Sequence, residues 1–340
     1  MKLTAGIVGF GLAGRYFHAP LLRQAGFDIS DVVSSKPDAV HGLLSQANVL
    51  SSADELFARP VDVVVIASPN QLHVPQARAA LAAGKHVVVD KPVAVTSKEA
   101  RELAAFARDK NRVLAVFQNR RWDSDFLTLQ RLIAEDRLGA INSYEARWDR
   151  FRPNIADRWR ERAEPGAGVL FDLGSHLIDQ ALQLFGMPDW LQADVFAQRP
   201  NSAADDGFGL LLVKNNVRIR LGVSSLVANN GFRYRVHGSK ASFLKSGLDT
   251  QEAQSRAGME PSNEAFGIEP ESQWGTLFEP DDRNTRIAPE RGCWIYFYER
   301  VRAAIENGAP PPVSAEDAAR VIEVIEAACE SSREGRRIHF

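Results

Sequence analysis

A glycine-rich segment near the start of the chain is the first feature that could do chemistry. Gly9, Gly11 and Gly14 form the pattern G-x-G-x-x-G after an apolar run that begins at Leu3. The first glycine permits a tight turn, the second lets the backbone approach a pyrophosphate, and the third lets a helix pack on the strand. Free N–H groups and the positive end of the helix then face the anion. Because the motif stands between a strand and a helical pattern, it predicts a dinucleotide site rather than a merely structural turn.

The end of the second predicted strand should distinguish NAD from NADP. An acidic residue there would bind the ribose hydroxyls of NAD and repel a 2′-phosphate. The sequence has Ser34, Ser35 and Lys36 instead, whose side chains can donate to a phosphate. Asp38 lies close enough to blunt the charge on Lys36, and Lys36 as a merely solvated loop residue is the alternative. We therefore predict NADP as the preferred cofactor, with NAD possible.

A lysine and an Asp–His pair are the candidates for proton chemistry. Lys91 follows a β-branched run that ends at Asp90, and Pro92 stiffens its backbone. Ligands of open parallel sheets collect at the carboxyl ends of the strands, so we expect Lys91 to face a ligand crevice. Asp172 and His176 are four residues apart and would share one face of a helix. A solvent-facing ion pair is the alternative interpretation of that spacing.

Alternating strands and helices must position the first set of residues. Apolar strand-like runs alternate with helical patterns over residues 1–120, which predicts a doubly wound parallel sheet of the Rossmann type, an NAD(P)-binding domain. Gly84 suits the end of an alanine-rich helix. Thr96 and Glu99 form a capping box that begins the next one.

The pattern changes after residue 120. Strand candidates follow one another, and Asn215-Asn216 reads as a hairpin turn between two of them. Residues 121–340 are therefore predicted to form an α+β domain with a mainly antiparallel, open-faced sheet for substrate binding and oligomerisation. Gly174, inside the predicted helix 171–184, indicates that another group packs closely against that helix. The polar segment 246–290 is long for a loop, and two helices close the chain.

Composition excludes several function classes. The chain has 340 residues with 41 basic and 43 acidic side chains, so its net charge of −2 provides no field for a nucleic acid backbone. Its apolar runs are shorter than the ~18 residues of a membrane helix. Two cysteines, Cys293 and Cys329, cannot build a disulfide framework or a thiolate zinc site. We expect a cytoplasmic protein with no metal, nucleic acid or membrane partner.

Several of these segments together carry a family resemblance. The chain resembles the glucose-fructose oxidoreductase/inositol dehydrogenase (Gfo/Idh/MocA) family, and within it the NADP-linked inositol dehydrogenases. The segments that carry it, besides the glycine motif, are Ser68-Pro69-Asn70-Gln71-Leu72-His73, Asp90-Lys91-Pro92, Asn119-Arg120-Arg121-Trp122-Asp123 and Asp172-Leu173-Gly174-Ser175-His176. The family usually has E-K-P where this sequence has Asp90-Lys91-Pro92.

The resemblance implies oxidation of a secondary alcohol of a sugar or cyclitol by hydride transfer to a nicotinamide. His176 is then the candidate base, Lys91 the donor to the reacting oxygen, and Asp172 a ligand of a neighbouring hydroxyl that also orients His176. An ammonium and an imidazole would meet at one alcohol oxygen. Ser68 and Asn70 would contact the ribose and phosphates of the cofactor, and His73 would join them or serve as a structural cap.

Arg120 and Trp122 are candidate substrate contacts, because Trp stacks on the C–H face of a sugar and Arg donates to hydroxyls. An ordinary domain junction is the alternative interpretation. The resemblance implies a homodimer or homotetramer. A nucleotide-binding sensor on the same scaffold, or a glycoside-cleaving relative that uses the hydride only transiently, would lack net turnover of added cofactor.

Overall fold

Two structural units make up the chain in the computed structural model, which describes residues 2–157, 159–229 and 231–340. The first unit runs to Trp122 and also includes Gln251–Phe266 and Cys293–Ala319. The second comprises Asp123–Thr250, Gly267–Gly292 and Arg320–Phe340. The sequence pattern placed all of 121–340 in one domain. In the structure, two later segments belong to the first unit instead. Their membership depends on long-range packing, which a local change of composition along the sequence does not indicate.

The first 122 residues alternate strands and helices as the pattern predicted. Their bounds are β1 Thr4–Val8, α1 Ala19–Gln24, β2 Asp28–Val33, α2 Pro37–His41, β3 Asn48–Leu50, α3 Ala53–Phe57, β4 Val63–Ile66, α4 His73–Ala82, β5 His86–Asp90, α5 Ser97–Asp109 and β6 Leu114–Phe117. One π-helical turn, Gly14–His18, leads into α1. Gly84 has φ +77° after α4, and the predicted capping box of Thr96 and Glu99 begins α5.

The sheet of the first unit is parallel throughout, with the strand order β3-β2-β1-β4-β5-β6. The β-branched run of β4 is fully buried, as expected where helices cover both faces. Strand order reverses between β1 and β4, and ligands of such sheets bind at this point, outside the carboxyl ends of the strands. The predicted Rossmann architecture is confirmed.

The remainder of the chain adds strands in succession, and helices near its end. The bounds are α6 Ser124–Ala134, β7 Ile141–Arg147, α7 Ser175–Phe185, β8 Trp190–Phe196, β9 Gly207–Lys214, β10 Val217–Ser224, β11 Tyr234–Gly238, β12 Ser242–Lys245, α8 Gln251–Arg256, β13 Gly275–Phe278, β14 Asn284–Ile287, α9 Ile295–Asn307, α10 Ala315–Glu334 and β15 Ile338–His339. No helix of the described ranges is both long and apolar enough to cross a membrane.

The late segment of the first unit closes an edge of its sheet. The N–H of Val116 in β6 donates to the carbonyl of Val313 at 3.1 Å, and Ala115 forms an antiparallel bridge with Ser314. Phe297 of α9 packs edge-on against Phe117 of β6, with ring centroids 4.9 Å apart. A strand edge that would otherwise present unpaired N–H and C=O groups is therefore covered.

The second unit is built on a mixed sheet with the order β14-β13-β12-β11-β7-β10-β9-β8-β15. Its neighbours pair antiparallel except β7 and β10, so the mainly antiparallel sheet is confirmed. Asn215 and Asn216 adopt φ of +46° and +68° in the turn between β9 and β10, as predicted. Leu177 and Ile178 of α7 and Ile325 of α10 are buried in the core of this unit.

The segment 246–290 is more regular than its composition indicated. It contains α8, the strand β13 and the edge strand β14. In β14, Asn284 to Arg286 are exposed and only Ile287 is buried. A strand with a polar, exposed edge lacks the apolar alternation by which strands are recognised in a sequence.

Candidate active site

The glycine motif has the geometry of a phosphate cradle. Gly9 has φ +93°, and a Cβ added there would lie 2.6 Å from the carbonyl oxygen of Ala67. A Cβ on Gly14 would lie 2.2 Å from the carbonyl oxygen of Gly9, whereas one on Gly11 would meet nothing within 4 Å. The first and third glycines are thus required by the turn and by helix packing, and the space at the second is open for a ligand. These residues fit a dinucleotide pyrophosphate.

The predicted ribose discriminators lie at the carboxyl end of β2. The N–H of Ser34 donates to the carbonyl of Leu50 at 3.3 Å, and the N–H of Lys36 donates to Oγ of Ser34 at 3.1 Å. Ser35 and Lys36 are exposed immediately before α2 begins at Pro37. A turn that presents a hydroxyl and an ammonium suits a 2′-phosphate, and the exposed Asp38 follows two residues after Lys36 in the first turn of α2.

The loop after β4 carries Ser68, Asn70 and His73. The hydroxyl of Ser68 donates to Oε1 of Gln76 at 2.7 Å, and Asn70 is buried. His73 is also buried, with Nδ1 2.7 Å from the carbonyl oxygen of Pro92 and Nε2 2.8 Å from that of Ser68. His73 therefore joins the turns that follow β4 and β5, which supports the structural role considered for it.

Lys91 stands at the carboxyl end of β5, as its place in the sequence predicted. Its side chain is half-buried, and its backbone N–H donates to Oδ1 of Asp90 at 2.8 Å. The Lys91–Pro92 peptide is cis. The ammonium is thus carried by a turn that is fixed on one side by Asp90 and on the other by the contact of Pro92 with His73.

Arg120 and Trp122 follow β6 and are both buried. The Arg120 guanidinium pairs with Glu252 and lies 5.0 Å from the ring of Trp294. Trp122 packs edge-on against Phe297, with centroids 6.0 Å apart. All of these contacts lie within the first unit, and the contact of both residues with substrate stays a prediction.

Asp172 and His176 occupy successive turns of one helical segment in the second unit. A π-helical turn, Leu170–Gly174, contains Asp172 and runs directly into α7, which begins at Ser175. Oδ1 of Asp172 lies 3.3 Å from Nε of Arg160, and the Asp172 side chain is 25% exposed. π-Helical turns are frequent at functional sites. Asp172 therefore offers a partly exposed carboxylate that a nearby cation already neutralises.

His176 is almost completely buried against an aromatic ring. Its exposure is 6%, and its ring centroid lies 5.8 Å from that of Trp148 with the planes tilted by 33°. The guanidinium of Arg233, paired with Asp125, lies 5.2 Å from the Trp148 ring. An imidazole packed in this way has a restricted orientation, which a directional proton acceptor requires.

Asp205 fixes the beginning of the helical segment that carries Asp172. Its Oδ2 accepts from the N–H of Leu170 at 2.8 Å, and a Cβ on Gly168, with φ +86°, would collide with its carboxylate. Burial raises the pKa of the Asp205 carboxyl from 3.8 to about 6, against the opposing effect of the backbone N–H groups of Leu170 and Val169. Gly174 packs as predicted: its Cβ would lie 3.1 Å from Cζ of Phe208.

Several residues that support the site had no signal in the sequence. Trp148, Arg160 and Asp205 become neighbours of the Asp172–His176 segment only through tertiary packing. Within residues 2–157, 159–229 and 231–340, no group of three or more His, Cys, Asp or Glu side chains is placed to hold a metal ion.

Comparison with known proteins agrees with this architecture. Residues 3–118 match the model of the oxidoreductase family NAD-binding Rossmann fold (GFO_IDH_MocA), and residues 130–340 match the C-terminal alpha/beta domain of the same family. The chain is 40% identical over 341 residues to the scyllo-inositol 2-dehydrogenase (NADP(+)) IolW of Bacillus subtilis, an alignment that covers 99% of this chain and 95% of that protein.

Two further relatives match along the whole chain. The uncharacterized oxidoreductase YdgJ of Escherichia coli is 41% identical over 98% of this chain and 97% of its own length. The solved structure of YvaA from Bacillus subtilis, named only as an oxidoreductase, superposes with a TM-score of 0.97 at 39% identity, covering 100% of this chain and 98% of that one. With its glycine cradle on a parallel sheet and both family domains matched, the chain belongs to the Gfo/Idh/MocA family of NAD-binding oxidoreductases.

Proposed function

We propose that this oxidoreductase prefers NADP and interconverts a secondary alcohol of a sugar or cyclitol with the corresponding ketone. The observation that carries the proposal is the 40% identity, along 99% of the chain, to a protein named as an NADP-dependent scyllo-inositol dehydrogenase. Lys91, Asp172 and His176 supply the donor, the hydroxyl ligand and the base that such a reaction needs. A carbonyl-reducing direction uses the same groups in reverse.

The cofactor preference rests on the turn after β2. Ser34, Ser35 and Lys36 would hold the 2′-phosphate, and the cradle at Gly9, Gly11 and Gly14 would hold the pyrophosphate. When bound, the nicotinamide supplies the acceptor for the hydride that leaves the alcohol carbon.

The residues of the chain then handle the proton and the charge. The imidazole of His176 accepts the proton of the hydroxyl group, and the packing of Trp148 against its ring keeps it in one orientation. The Lys91 ammonium donates a hydrogen bond to the same oxygen and stabilises the negative charge that develops as the proton leaves. Asp172, paired with Arg160, accepts from a neighbouring hydroxyl and so selects a polyhydroxylated ring.

Turnover assays of defined variants test these roles. We expect NADP reduction with inositols or aldoses, or NADPH oxidation with the corresponding ketones, and a loss of kcat by ~10² or more in Lys91→Ala and in His176→Ala. Lys98→Ala, which removes an 83% exposed lysine side chain, is the control and should keep full activity. NADP binding without turnover of any polyol or ketone would instead favour a sensor protein.

A charge exchange after β2 tests the cofactor preference. Lys36→Glu places a carboxylate where the 2′-phosphate is expected, so KM for NADP should rise ~10-fold or more while KM for NAD stays nearly constant. The control is Lys85→Glu, since Lys85 binds the carbonyl of Arg59 and lies away from the β2 turn in the sequence. A wild-type protein that prefers NAD would contradict the proposal.

We also propose a homo-oligomer, a dimer or a tetramer, in the cytoplasm. The sheet of the second unit has a shallow pocket of about 380 Å³ on one face. Gln192 and Arg220, which are exposed, and Leu211, which is half-buried, line this pocket. A sheet face of this size with apolar side chains among charged ones is suited to pairing with a second copy. Light scattering after size exclusion should give a mass of at least twice 37.5 kDa, and a monomer would contradict it.

A further inference from the structure

A buried histidine behind the glycine cradle has no role in the reaction outlined above. His18 closes the π-helical turn that begins at Gly14, and none of its surface is exposed. Its ring lies 4.3 Å from that of Phe117, and its Nδ1 lies 2.6 Å from the hydroxyl oxygen of Tyr298 on α9. Both partners belong to the first unit. Burial of a polar ring among apolar groups is costly unless its nitrogens are hydrogen-bonded, and here Tyr298 provides a partner for Nδ1.

The surroundings of His18 define its protonation. Burial lowers the pKa of its imidazole from 6.5 to about 4, so the ring is neutral at physiological pH. Tyr298 is fully buried and its hydroxyl hydrogen-bonds with Nδ1. If Nδ1 accepts that hydrogen, the proton of the neutral ring lies on Nε2, which is the nitrogen 4.0 Å from Oδ2 of Asp90. The opposite tautomer would turn a lone pair toward a carboxylate.

Asp90 links this histidine to the candidate catalytic lysine. One of its oxygens, Oδ2, faces Nε2 of His18, and the other, Oδ1, accepts from the backbone N–H of Lys91 at 2.8 Å. Nε2 of His18 is buried and makes no hydrogen bond to any described residue, so its interaction with the partly buried Asp90 carboxylate at 4.0 Å is electrostatic, and it is strengthened by surroundings of low dielectric constant. Tyr298, His18, Asp90 and the Lys91 backbone are therefore linked in series by a hydrogen bond, an electrostatic contact at 4.0 Å and a second hydrogen bond.

We propose that His18, oriented by Tyr298, is a positioning residue for Lys91: it holds the Asp90 carboxylate, and the carboxylate fixes the turn that carries the lysine. The proposal rests on the proposed function in taking Lys91 as the donor to the reacting oxygen. His18 itself touches neither substrate nor reacting atoms. Its effect should fall on the chemical step and leave cofactor affinity nearly unchanged, because the cradle is formed by other backbone groups.

Three variants separate positioning from simple packing. Tyr298→Phe removes only the hydroxyl and keeps the ring contacts of Tyr298 with Phe27, Phe117 and Phe297. His18→Leu fills the site without polar atoms, and His18→Gln restores one acceptor and one donor. We expect kcat to fall ~10-fold in Tyr298→Phe and His18→Leu, and less than ~3-fold in His18→Gln, with KM for NADP within ~2-fold in all three.

The outcomes that oppose the proposal are equally defined. Unchanged kcat in Tyr298→Phe and His18→Leu would overturn it, and so would a His18→Gln variant as slow as His18→Leu, since only packing would then matter. Tyr296→Phe, the same chemical change two residues earlier on α9 at a side chain that is 45% exposed, is the matched control and should keep wild-type kcat.

Backbone amide exchange provides a readout that does not depend on turnover. In a ¹⁵N-lysine-labelled protein, Tyr298→Phe should accelerate exchange of the Lys91 amide by ~10-fold or more, because its acceptor on Asp90 is released. The Lys85 amide, which donates to the carbonyl of Ala80 at 3.0 Å, should exchange at the wild-type rate. Unchanged exchange at Lys91 would refute the link. Absence of any wild-type turnover, with accelerated exchange, would count against the proposed function and leave the positioning contact standing.

Discussion

The Asp205 carboxyl makes the free energy of unfolding depend on pH, and it does so at the beginning of the helical segment that carries Asp172. Burial raises its pKa from 3.8 to about 6. Between these values the folded protein binds the proton more tightly than the unfolded chain does. The contribution of Asp205 to the free energy of unfolding is therefore greatest when it is protonated, and it declines as pH rises through about 4 to 6.

The variant Asp205→Asn should remove this dependence. The asparagine keeps an oxygen that can accept from the N–H of Leu170 but cannot ionise. Relative to wild type, its free energy of unfolding should be greater by on the order of 1 kcal/mol at about pH 4.5 and by on the order of 3 kcal/mol at about pH 8, because the unfolded wild-type chain is already largely ionised at the lower pH. Urea titrations at both pH values measure the difference. A difference that does not vary with pH would contradict the role assigned to the Asp205 charge.

Sequence motifs indicated the candidate site residues more readily than the residues that contact and orient them. Lys91 and the Asp172–His176 pair could be chosen as candidates from local features, the end of a strand and a spacing of one helical turn, and the structure has both features. His18 and Tyr298, which hydrogen-bond across 280 positions of sequence, have no such local signal. Contacts of this kind depend on tertiary packing, which residue spacing does not encode.

At the scale of helices and strands, short-range signals were reliable where a specific backbone geometry is required. The capping box that begins α5, the left-handed Gly84 after α4 and the hairpin at Asn215-Asn216 all appear where the sequence indicated. The helix α6, the strand β13 and the edge strand β14 were not predicted. Their residues are polar or mixed, and their structure depends on neighbours distant in sequence.

The close packing at Gly174 gives a prediction for α7. Alanine would improve helix propensity by about 1 kcal/mol, but its Cβ would lie 3.0 Å from Cδ1 of Leu170 and 3.1 Å from Cζ of Phe208, both almost fully buried. Because these two buried side chains would have to shift within the core to admit the new Cβ, we expect Gly174→Ala to lower the free energy of unfolding by roughly 1–2 kcal/mol. Thermal or urea unfolding measures it.

A double-mutant cycle identifies the cause of that loss. Phe208→Leu removes the ring that the new Cβ would meet, so the cost of Gly174→Ala should be smaller in the Phe208→Leu background than in wild type. Equal costs in the two backgrounds would show that the close contact with Phe208 is not the origin of the effect.

At the scale of the whole molecule, the sequence predicted both architectures and their order along the chain. Alternation of strands and helices identified the parallel sheet, and successive strands identified the mainly antiparallel one. The return of 251–266 and 293–319 to the first unit was not predictable. It depends on contacts such as the pairing of Val116 with Val313, between segments almost 200 positions apart.

This segmentation predicts which fragment of the first unit folds. The backbone N–H of Cys293 donates to the carbonyl of Trp122 at 2.9 Å, and the side-chain Nε2 of Gln251 donates to the same carbonyl at 3.1 Å. The N–H of Gly292 donates to the carbonyl of Gly267. Short glycine-serine linkers should therefore connect 1–122, 251–266 and 293–319 into one chain. We expect this chain to melt cooperatively and NADP at 100 times its Kd to stabilise it by about 2.7 kcal/mol.

The fragment 1–122 alone is the comparison. It lacks the cover of β6 and the aromatic packing of α9 on Phe117, so it should show no cooperative transition and no stabilisation by NADP. Calorimetry of both chains decides the point. Equal melting temperatures for the two would mean that the later segments contribute little to the stability of the unit.

The pairing of β6 with Val313 and Ser314 also has a consequence during synthesis on the ribosome. At roughly 5–20 residues per second, some 10–40 seconds separate the emergence of β6 from that of its partner segment. Throughout that interval one edge of β6 is unpaired, and the backbone of another polypeptide could pair with it. Chaperones that bind extended apolar segments are accordingly expected to matter most for yield in this window, before Val313 and Ser314 have been translated.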